Sequence, residues 1–504
     1  MMTTNELLPL LVLCSSLLPG LAIFILPEHH HRLRTSLNLF GAVAKIVLVG
    51  MLLVGVQAGE SYGFRHAVAP GLELVFKADA LGLLFITLST VLWLFTTLYA
   101  IGYLENAPHR SRFFGFFSLC VTATIGIAMA GNLFTFFVFY ELLTLATFPL
   151  VAHRGTPEAK QGATVYLAYT LAGGAALLTG IVWLESLSHH TDFTHGGFVA
   201  GLLPGNESTL VAIFVLLIAG VGVKAAIVPL HGWLPKAMVA PAPVSALLHA
   251  VAVVKAGAFG VVRIVYEVFG VDTAQALGLL TPLAAIAAFT IIWGSVFALF
   301  QDKLKKRLAY STISQVSYIV LGTALFGPIG TVGGLVHLVH QGVMKSTLFF
   351  AAGNYAETLG IHKVSEMNGV GRRMPATTIA FSLAALGMMG APLTAGAISK
   401  AWLGDGASAA GMDWAVWVLT ASSLLNAAYF LPILWRAWFH PPPKSWPEEH
   451  IVRRGLIETH GLLLAPPLLT AALALVFGLL PDDVASPLTW ARMIAEREYG
   501  LIAR

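Results

Sequence analysis

The sequence predicts an all-α, polytopic membrane protein with about fourteen transmembrane helices, and three observations predict it. The 504-residue chain is 57% hydrophobic and only 11% charged, with a mean hydropathy of +0.80, whereas soluble domains carry roughly 25% charged residues. Apolar runs near or above the roughly 20 residues needed to cross a bilayer recur from end to end. Lysine and arginine collect in alternate loops, the signature of the positive-inside rule. No alternating pattern of about ten residues points to a β-barrel.

The spans expected in order are 7 to 26, 35 to 58, 79 to 103, 113 to 131, 133 to 152, 162 to 186 and 209 to 230. They continue with 243 to 266, 276 to 300, 307 to 327, 330 to 356, 376 to 402, 414 to 437 and 461 to 480. Leu7 to Leu26 is preceded by Glu6 without a basic region, so it reads as the first span and not as a cleaved signal peptide. Gly63 to Asp79 has alternating polarity and β-formers, the pattern of a short external hairpin. The tail from Pro481, with Trp490 and Arg492, reads as a short amphipathic helix at the membrane interface.

Loops of one parity hold Arg32 and Arg34; Arg110 and Arg112; Arg154 and Lys160; Lys236; Lys303, Lys305, Lys306 and Arg307; Lys363, Arg372 and Arg373; then Arg436, Lys444, Arg453 and Arg454. These are expected to face the cytoplasm, which puts both termini outside and the chain in the cell inner (plasma) membrane. The other loops carry only Arg65 and Lys77, and 187 to 208 has neither basic type. The net charge of +4 is therefore a statement about topology; the partner it implies is the lipid bilayer, with no nucleic acid. Cys14 and Cys120 stand singly in apolar runs, so no thiolate-bound redox centre and no cofactor is expected. His29 to His31, and His189, His190 and His195, lack metal-ligand spacing, so no metal site is expected.

Four units are expected: an N-terminal three-helix segment with the hairpin (1–112), two five-helix repeats (113–266 and 276–437), and a C-terminal helix with its interfacial tail (438–504). Each repeat has a proline-interrupted helix with a lysine in fourth place, Lys224 with Pro229 and Lys400 with Pro392. An odd number of spans per repeat would invert one relative to the other.

Buried charge carries the functional reading. A lysine at mid-span costs about 2.5 to 3.5 kcal/mol to insert, so such residues mark ion or proton paths. Lys224 follows the run Leu210 to Val223, and Lys255 lies deep in Val244 to Val262. Glu141 is the main acidic candidate within the spans, and no second carboxylate-rich site is evident. An isolated carboxylate there needs a cation, so Glu141 is expected to form a switchable pair with Lys224, against the alternative of a fixed structural ion pair. His249, six residues before Lys255, is placed on roughly the opposite face, by about 600° of helical rotation, as a relay or as a packed histidine. In the run GGLVHLVHQGVMKSTLFFAAG, His337, Gln341 and Lys345 are spaced by four and share a face, with His340 to one side. Imidazole accepts at one nitrogen and donates from the other, so this face suits a proton wire. Lys400 either snorkels or faces an aqueous cavity opened at Pro392. Asp302 to Arg307 reads as a solvated helix end or a cytoplasmic proton mouth, and Lys45 is left unassigned among snorkelling, external pairing and contact with a neighbouring subunit.

These residues resemble the antiporter-like subunits shared by Mrp-type cation/proton antiporters, respiratory complex I and membrane-bound hydrogenases. The resemblance covers roughly 70 to 440 and is carried by six segments. They are FKADALGLLF, FYELLTLATFPL, VKAAIVPLHGWLPKAMVAPAPVSALLHA, QDKLKKRLAYSTISQVSYI, HLVHQGVMKSTLFFAAG and GAPLTAGAISK. It implies a fourteen-helix core with inverted repeats, a glutamate–lysine pair at Glu141 and Lys224, and a hydrophilic axis through Lys255, Lys345 and Lys400. Where relatives commonly have an acidic residue, a second proline, an acidic residue and a histidine, this chain has Lys236, Leu393, Ala401 and Gln341. His337 and His340 look more like the Mrp D-type subunit, and APAPVSALLHA more like the complex I and hydrogenase relatives.

The expected function is that of a proton-translocating subunit of a multisubunit complex, foremost a Mrp D-like antiporter exchanging Na+ or K+ for protons with other membrane subunits. Its chemistry is proton transfer, and any enzyme activity would be that of a translocase to which it belongs. The rivals are a pumping subunit of a complex I-like oxidoreductase or hydrogenase, a membrane subunit powering inorganic-carbon uptake, and a structural scaffold.

Overall fold

A computed structural model describes residues 3–104, 107–449 and 457–501. Arg453 and Arg454, placed above in a basic loop, lie outside the described residues. The first helices are α1 (Thr4–Ile25) and α2 (His31–Gln57), followed by an antiparallel hairpin, β1 (Tyr62–Ala69) and β2 (Leu72–Ala78). Next come α3 (Ala80–Tyr103), α4 (Arg110–Ala128), α5 (Leu133–Val151), α6 (Pro157–Ser188), α7 (Glu207–Lys224) and α8 (Ala242–Phe269). The remainder are α9 (Leu280–Leu299), α10 (Leu304–Ala324), α11 (Pro328–Leu359), α12 (Pro375–Met389), α13 (Ala395–Ala409), α14 (Asp413–Phe439), α15 (Gly461–Leu479) and α16 (Pro487–Glu498).

Each expected span contains helix, with 209–230 ending as helix at Lys224 and 376–402 interrupted, and the expected hairpin and tail helix are both present. Among the described residues, eleven helices are long and apolar enough to cross a membrane by length and composition. Of the three other expected spans, α10 and α11 are too polar along their buried faces to read as lipid-spanning runs, and 376 to 402 is split into α12 and α13.

The proline breaks are sharper than expected. The seventh span ends as helix at Lys224, and Ala225 to Gly232 turns before a one-turn helix at Trp233–Lys236. Between α12 and α13, Gly390 to Thr394 leaves the helical path. Each break holds a non-glycine residue in the left-handed region, Ala226 (φ 57°) and Leu393 (φ 66°). Such strained backbone persists only where the surroundings over-determine it.

Contacts between loops sort the two ends of the bundle. At the basic end, Glu28 accepts from the backbone amides of Arg110 and Ser111, Arg112 donates to the His153 carbonyl, Leu304 N to the His362 carbonyl, and Arg373 pairs with Glu449. At the other end, β2 bonds to Met129 and Gly131, Arg65 pairs with Asp192, Asn5 donates to Ser61 O, and Trp490 donates to Ala80 O. Alternate loops thus meet on the same face, the arrangement that the charge pattern requires, and both ends of the described chain lie on the hairpin side.

A buried ion cluster anchors that side. Arg263 bonds Asp79 through both terminal nitrogens (2.8 and 2.9 Å), and it also bonds Glu267 and the Ala128 carbonyl. Asp79 simultaneously caps α3 by accepting from Gly82 N at 2.7 Å. The reading of Glu141 as the main acidic group within the spans is corrected here, because the eighth helix runs past its expected end at 266 to Phe269 and takes Glu267 into the interior.

Two outcomes follow from these contacts. Removing one member of a buried ion cluster costs about 3–5 kcal/mol, because the remaining charges stay buried and uncompensated. Arg263→Met is therefore expected to lower the thermal unfolding temperature of the detergent-purified protein far more than Arg65→Met, whose side chain is half exposed. Separately, His195 Nδ1 bonds Glu498 Oε1 of α16 at 3.2 Å, and this hydrogen bond raises the imidazole pKa above its ordinary value. Stability from a raised pKa is fully present below the unfolded value and is lost as pH rises through the folded one. The protection of α16 from hydrogen exchange, corrected for the intrinsic pH dependence of amide exchange, is expected to fall as pH rises through the raised imidazole pKa, and His195→Gln should remove that pH dependence.

Candidate proton-conducting axis

Four helices of the bundle interior each present one buried or largely buried lysine, and the breaks decide where two of them sit. Lys224 closes α7, its Nζ donating to the Tyr140 carbonyl of α5 and lying 3.2 Å from the centre of the Tyr140 ring. A helix C-terminus carries partial negative charge, which favours a cation in the last turn. Lys400 follows the second break. Its Nζ donates to the carbonyl of Met389, the last residue of α12, at 3.1 Å, and to Ser423 Oγ of α14 at 3.0 Å.

Glu141 does not touch Lys224. Among the described residues the two make no ion pair within 4.0 Å, Glu141 Oε1 is buried without a partner, and the carboxylate lies over Gly174 of α6. The expected pair is therefore open in this structure, with the amine drawn to the carbonyl and ring of the preceding residue. Adjacent residues on a helix diverge by about 100°, which turns Glu141 towards α6 when Tyr140 faces α7.

α8 continues the line. A Cβ on Gly257 would come within 2.1 Å of Ala225 N, so glycine is what lets α8 lie directly on the broken end of α7. Two residues earlier, Lys255 Nζ donates to the Leu338 carbonyl of α11 at 2.7 Å. His249 was placed on the opposite face, and the structure corrects this. Leu247–Val251 is a π-helical turn and Ala252 breaks the regular path (φ −122°, ψ −82°), so simple α-helical rotation does not apply. His249 stacks on Phe349 of α11 with ring centres 4.4 Å apart, and its Nε2 lies 3.3 Å from Met238 Sδ. Both residues reach α11, at different heights.

On α11, His337 and Lys345 turn towards α10, α13 and α14. His337 Nδ1 is 2.8 Å from Ser399 Oγ of α13, and its ring stacks on Tyr318 of α10. Lys400 Nζ lies 5.6 Å from the centre of that Tyr318 ring. Lys345 donates to Leu308 O (3.2 Å) and Ser311 Oγ (2.7 Å) of α10. Tyr429 of α14 bonds Ser311 (2.8 Å) and Asn426 (2.5 Å), and Asn426 donates to the Met388 carbonyl at the end of α12. Lys345 is thus linked through two hydroxyls and an amide to the helix end that holds Lys400. Gln341 lies between His337 and Lys345 with both amide atoms buried and unpartnered, and so does Gln315 on α10. His340 points away, stacking on Phe477 of α15 at 5.8 Å.

Tyr140, Ser311, Gln315, Tyr318, Ser399, Ser423, Asn426 and Tyr429 were not singled out from sequence. Hydroxyls and amides are common in helices, and only the fold shows which of them face the lysines. The charge run at 302 to 307 opens on a cleft of about 400 Å3 lined by Arg154, Lys303, Lys305, Lys306, His362 and Met238, the last in contact with His249.

Residues 130–426 match the family described as "NADH:quinone oxidoreductase/Mrp antiporter, TM", and residues 70–114 match "NADH-Ubiquinone oxidoreductase (complex I), chain 5 N-terminus". NADH-quinone oxidoreductase subunit N of Desulforudis audaxviator (strain MP104C) is 34% identical over 430 residues, covering 82% of this chain and 83% of that one. A probable K(+)/H(+) antiporter component of Rhizobium meliloti (strain 1021) is 29% identical over 91% of this chain, which spans only 46% of that relative. A chain of the Mrp complex from Dietzia sp. DQ12-45-1b has the same fold, with a TM-score of 0.85, 23% identity, and coverage of 99% of this chain and 98% of that one. With more than half its length matched and a relative of this identity covering most of both chains, this protein belongs to the NADH:quinone oxidoreductase/Mrp antiporter transmembrane family.

Proposed function

We propose that this chain is the proton-translocating membrane subunit of a multisubunit complex, foremost a Mrp D-like cation/proton antiporter exchanging Na+ or K+. One observation carries the reading: Lys224, Lys255, Lys345 and Lys400 are each held by a backbone carbonyl, two of them also by a hydroxyl, and among the described residues none is held by a carboxylate. A lysine locked to a carboxylate keeps its proton, whereas one held by neutral acceptors exchanges it when a neighbouring charge moves. Glu141 is the movable charge for Lys224. The cleft at Lys305 is the cytoplasmic mouth, with His249 behind it, and His337 and the hydroxyl chain at Ser311 and Tyr429 connect Lys255, Lys345 and Lys400. His340, apart from that chain, is a side branch.

The domain reading belongs to the same proposal. Residues 113–266 and 276–437 form two inverted five-helix repeats with one break each, flanked by 1–112 and 438–504, and the bundle crosses the membrane about fourteen times. The basic face is cytoplasmic, both termini lie outside, and the membrane is the inner (plasma) membrane.

The redox rival has an observation in its favour, the 34% identity to a subunit N over most of both chains. Inverted vesicles holding the assembled complex separate the two. Antiport predicts that added Na+ or K+ collapses an imposed pH gradient without any electron donor, while a redox pump acidifies only when a donor and a quinone are turning over.

In the same vesicles Glu141→Ala or Lys224→Ala is expected to lower flux at least about tenfold, equivalent to about 1.4 kcal/mol on the limiting step, with Glu141→Asp retaining part. Neutral substitution of Lys255, Lys345 and Lys400 should slow flux one by one, and normal flux in all three would move the path elsewhere. Single cysteines in 302–307 and 357–375 should react with an impermeant thiol reagent only from the cytoplasmic side, and those in 187–208 only from outside. The purified chain alone in proteoliposomes should not show cation-coupled proton exchange, because Asp79 and Glu267 are already bonded to the fixed guanidinium of Arg263 and so are committed to a structural contact. Robust sodium- or potassium-dependent exchange by the chain alone would defeat that expectation.

A further inference from the structure

Lys45, fully buried at the middle of α2, takes no part in the axis described above. Its Nζ donates to Ser16 Oγ of α1 at 2.6 Å and lies 4.7 Å from the centre of the Trp93 ring of α3. Ser16 shares a hydrogen bond of 2.8 Å with Thr122 of α4, which donates to the Ser118 carbonyl at 2.9 Å. Among the described residues no charged side chain faces Lys45 from α1, α3 or α4.

The surroundings are polar in one direction only. α2 starts at the basic end of the bundle, and Arg34, Asn38 and Lys45 follow one another along its buried face. At the mouth, Arg34 donates to Ser111 Oγ (2.6 Å) and Glu28 O (3.1 Å). Between that mouth and Lys45, Asn38 Nδ2, Thr97 Oγ1, Ser118 Oγ and Trp93 Nε1 are buried without a protein partner. Buried polar groups are nearly always hydrogen-bonded, and water serves where protein does not. Past Lys45, towards the hairpin end, the buried face of α2 becomes Val49, Leu52 and Val56. α4 separates this seam from Lys224. Its Ser118 and Thr122 turn to α1, whereas Cys120 turns to α5 and lies 3.4 Å from Thr147 Oγ1.

We propose that Lys45 is a second proton-binding site, reached from the basic, cytoplasmic face through a hydrated polar seam between α1, α2, α3 and α4 and closed towards the other face by Val49, Leu52 and Val56. A use for it in transport rests on the proton-translocating reading. Its titration does not, so titration is what the test reads.

Trp93 is the reporter, because an ammonium group over an indole perturbs its emission and a neutral amine does so much less. The full chain is reconstituted in one orientation, and the emission of Trp93→Phe is subtracted from that of the protein with Trp93 intact while the pH at one face is varied. The difference is expected to pass through one titration as the pH at the cytoplasmic face changes. It should do so equally on a Glu141→Gln background, where loss of flux would test the transport reading separately. It should be lost in Lys45→Met, and also in Lys45→Arg, whose guanidinium stays charged and preserves the packing if the methionine variant does not fold. A difference signal that is flat from about pH 5 to about pH 10, that titrates as before in Lys45→Arg, or that follows the pH of the opposite face would overturn the proposal.

Discussion

An ammonium group inside a bilayer has to find its hydrogen-bond acceptors within the protein, because lipid offers none and each unmet donor costs free energy. Regular helices spend their carbonyls internally, so the supply of free acceptors is greatest where a helix stops. This chain stops two of its helices inside the bundle, after Lys224 and after Met389; Lys224 closes the first and Lys400 takes the last carbonyl of the second, while Lys255 and Lys345 bond carbonyls within continuous helices. The breaks cost strained residues at Ala226 and Leu393, and that cost is offset by the carbonyls and partial negative charge they expose. The π-turn at Leu247–Val251 serves a similar end in α8, where the departure from α-helical spacing lets His249 and Lys255 both face α11.

The two kinds of buried cation in this chain behave oppositely for a reason visible in their partners. Arg263 is forked, permanently charged and bonded to two carboxylates, one of which also caps α3. It is a fixed clamp. The lysines meet carbonyls, hydroxyls and aromatic faces, which stabilise an ammonium only partly and tolerate a neutral amine. The clamp sits at the hairpin end and ties α3, α4 and α8 together, giving the lysine-bearing helices a fixed base.

Helix positions were legible in the sequence because hydropathy and the alternation of basic loops both encode them, and the hairpin and the tail helix followed from alternation and amphipathicity. The lysines were legible for the same reason in reverse, since a charge in an apolar run stands out. Partners were not. Glu141 and Lys224 were expected in contact, yet the amine takes the Tyr140 carbonyl, and a backbone acceptor leaves no trace in a sequence. The Asp79–Arg263–Glu267 cluster was missed because Asp79 and Glu267 fall at expected helix boundaries, where charge is unremarkable. Tyr429 and Ser311 were missed because a hydroxyl in a helix usually bonds its own backbone, and only the packing of α10 against α11 and α14 gives these two another role.

The open geometry at Glu141 bears on how the first repeat would work. Tyr140 and Glu141 are neighbours on α5, one presenting its ring and carbonyl to Lys224 and the other its carboxylate to α6 at Gly174. A swing of the Glu141 side chain towards α7 would bring the two charges together and hold the proton on Lys224, and the swing back would release it to a neutral acceptor set. The absence of a side chain at Gly174 gives the carboxylate its resting place. Because the carboxylate is only partly buried and one of its oxygens has no partner, neither arrangement is fixed by a full set of bonds, which is the condition a two-position switch needs.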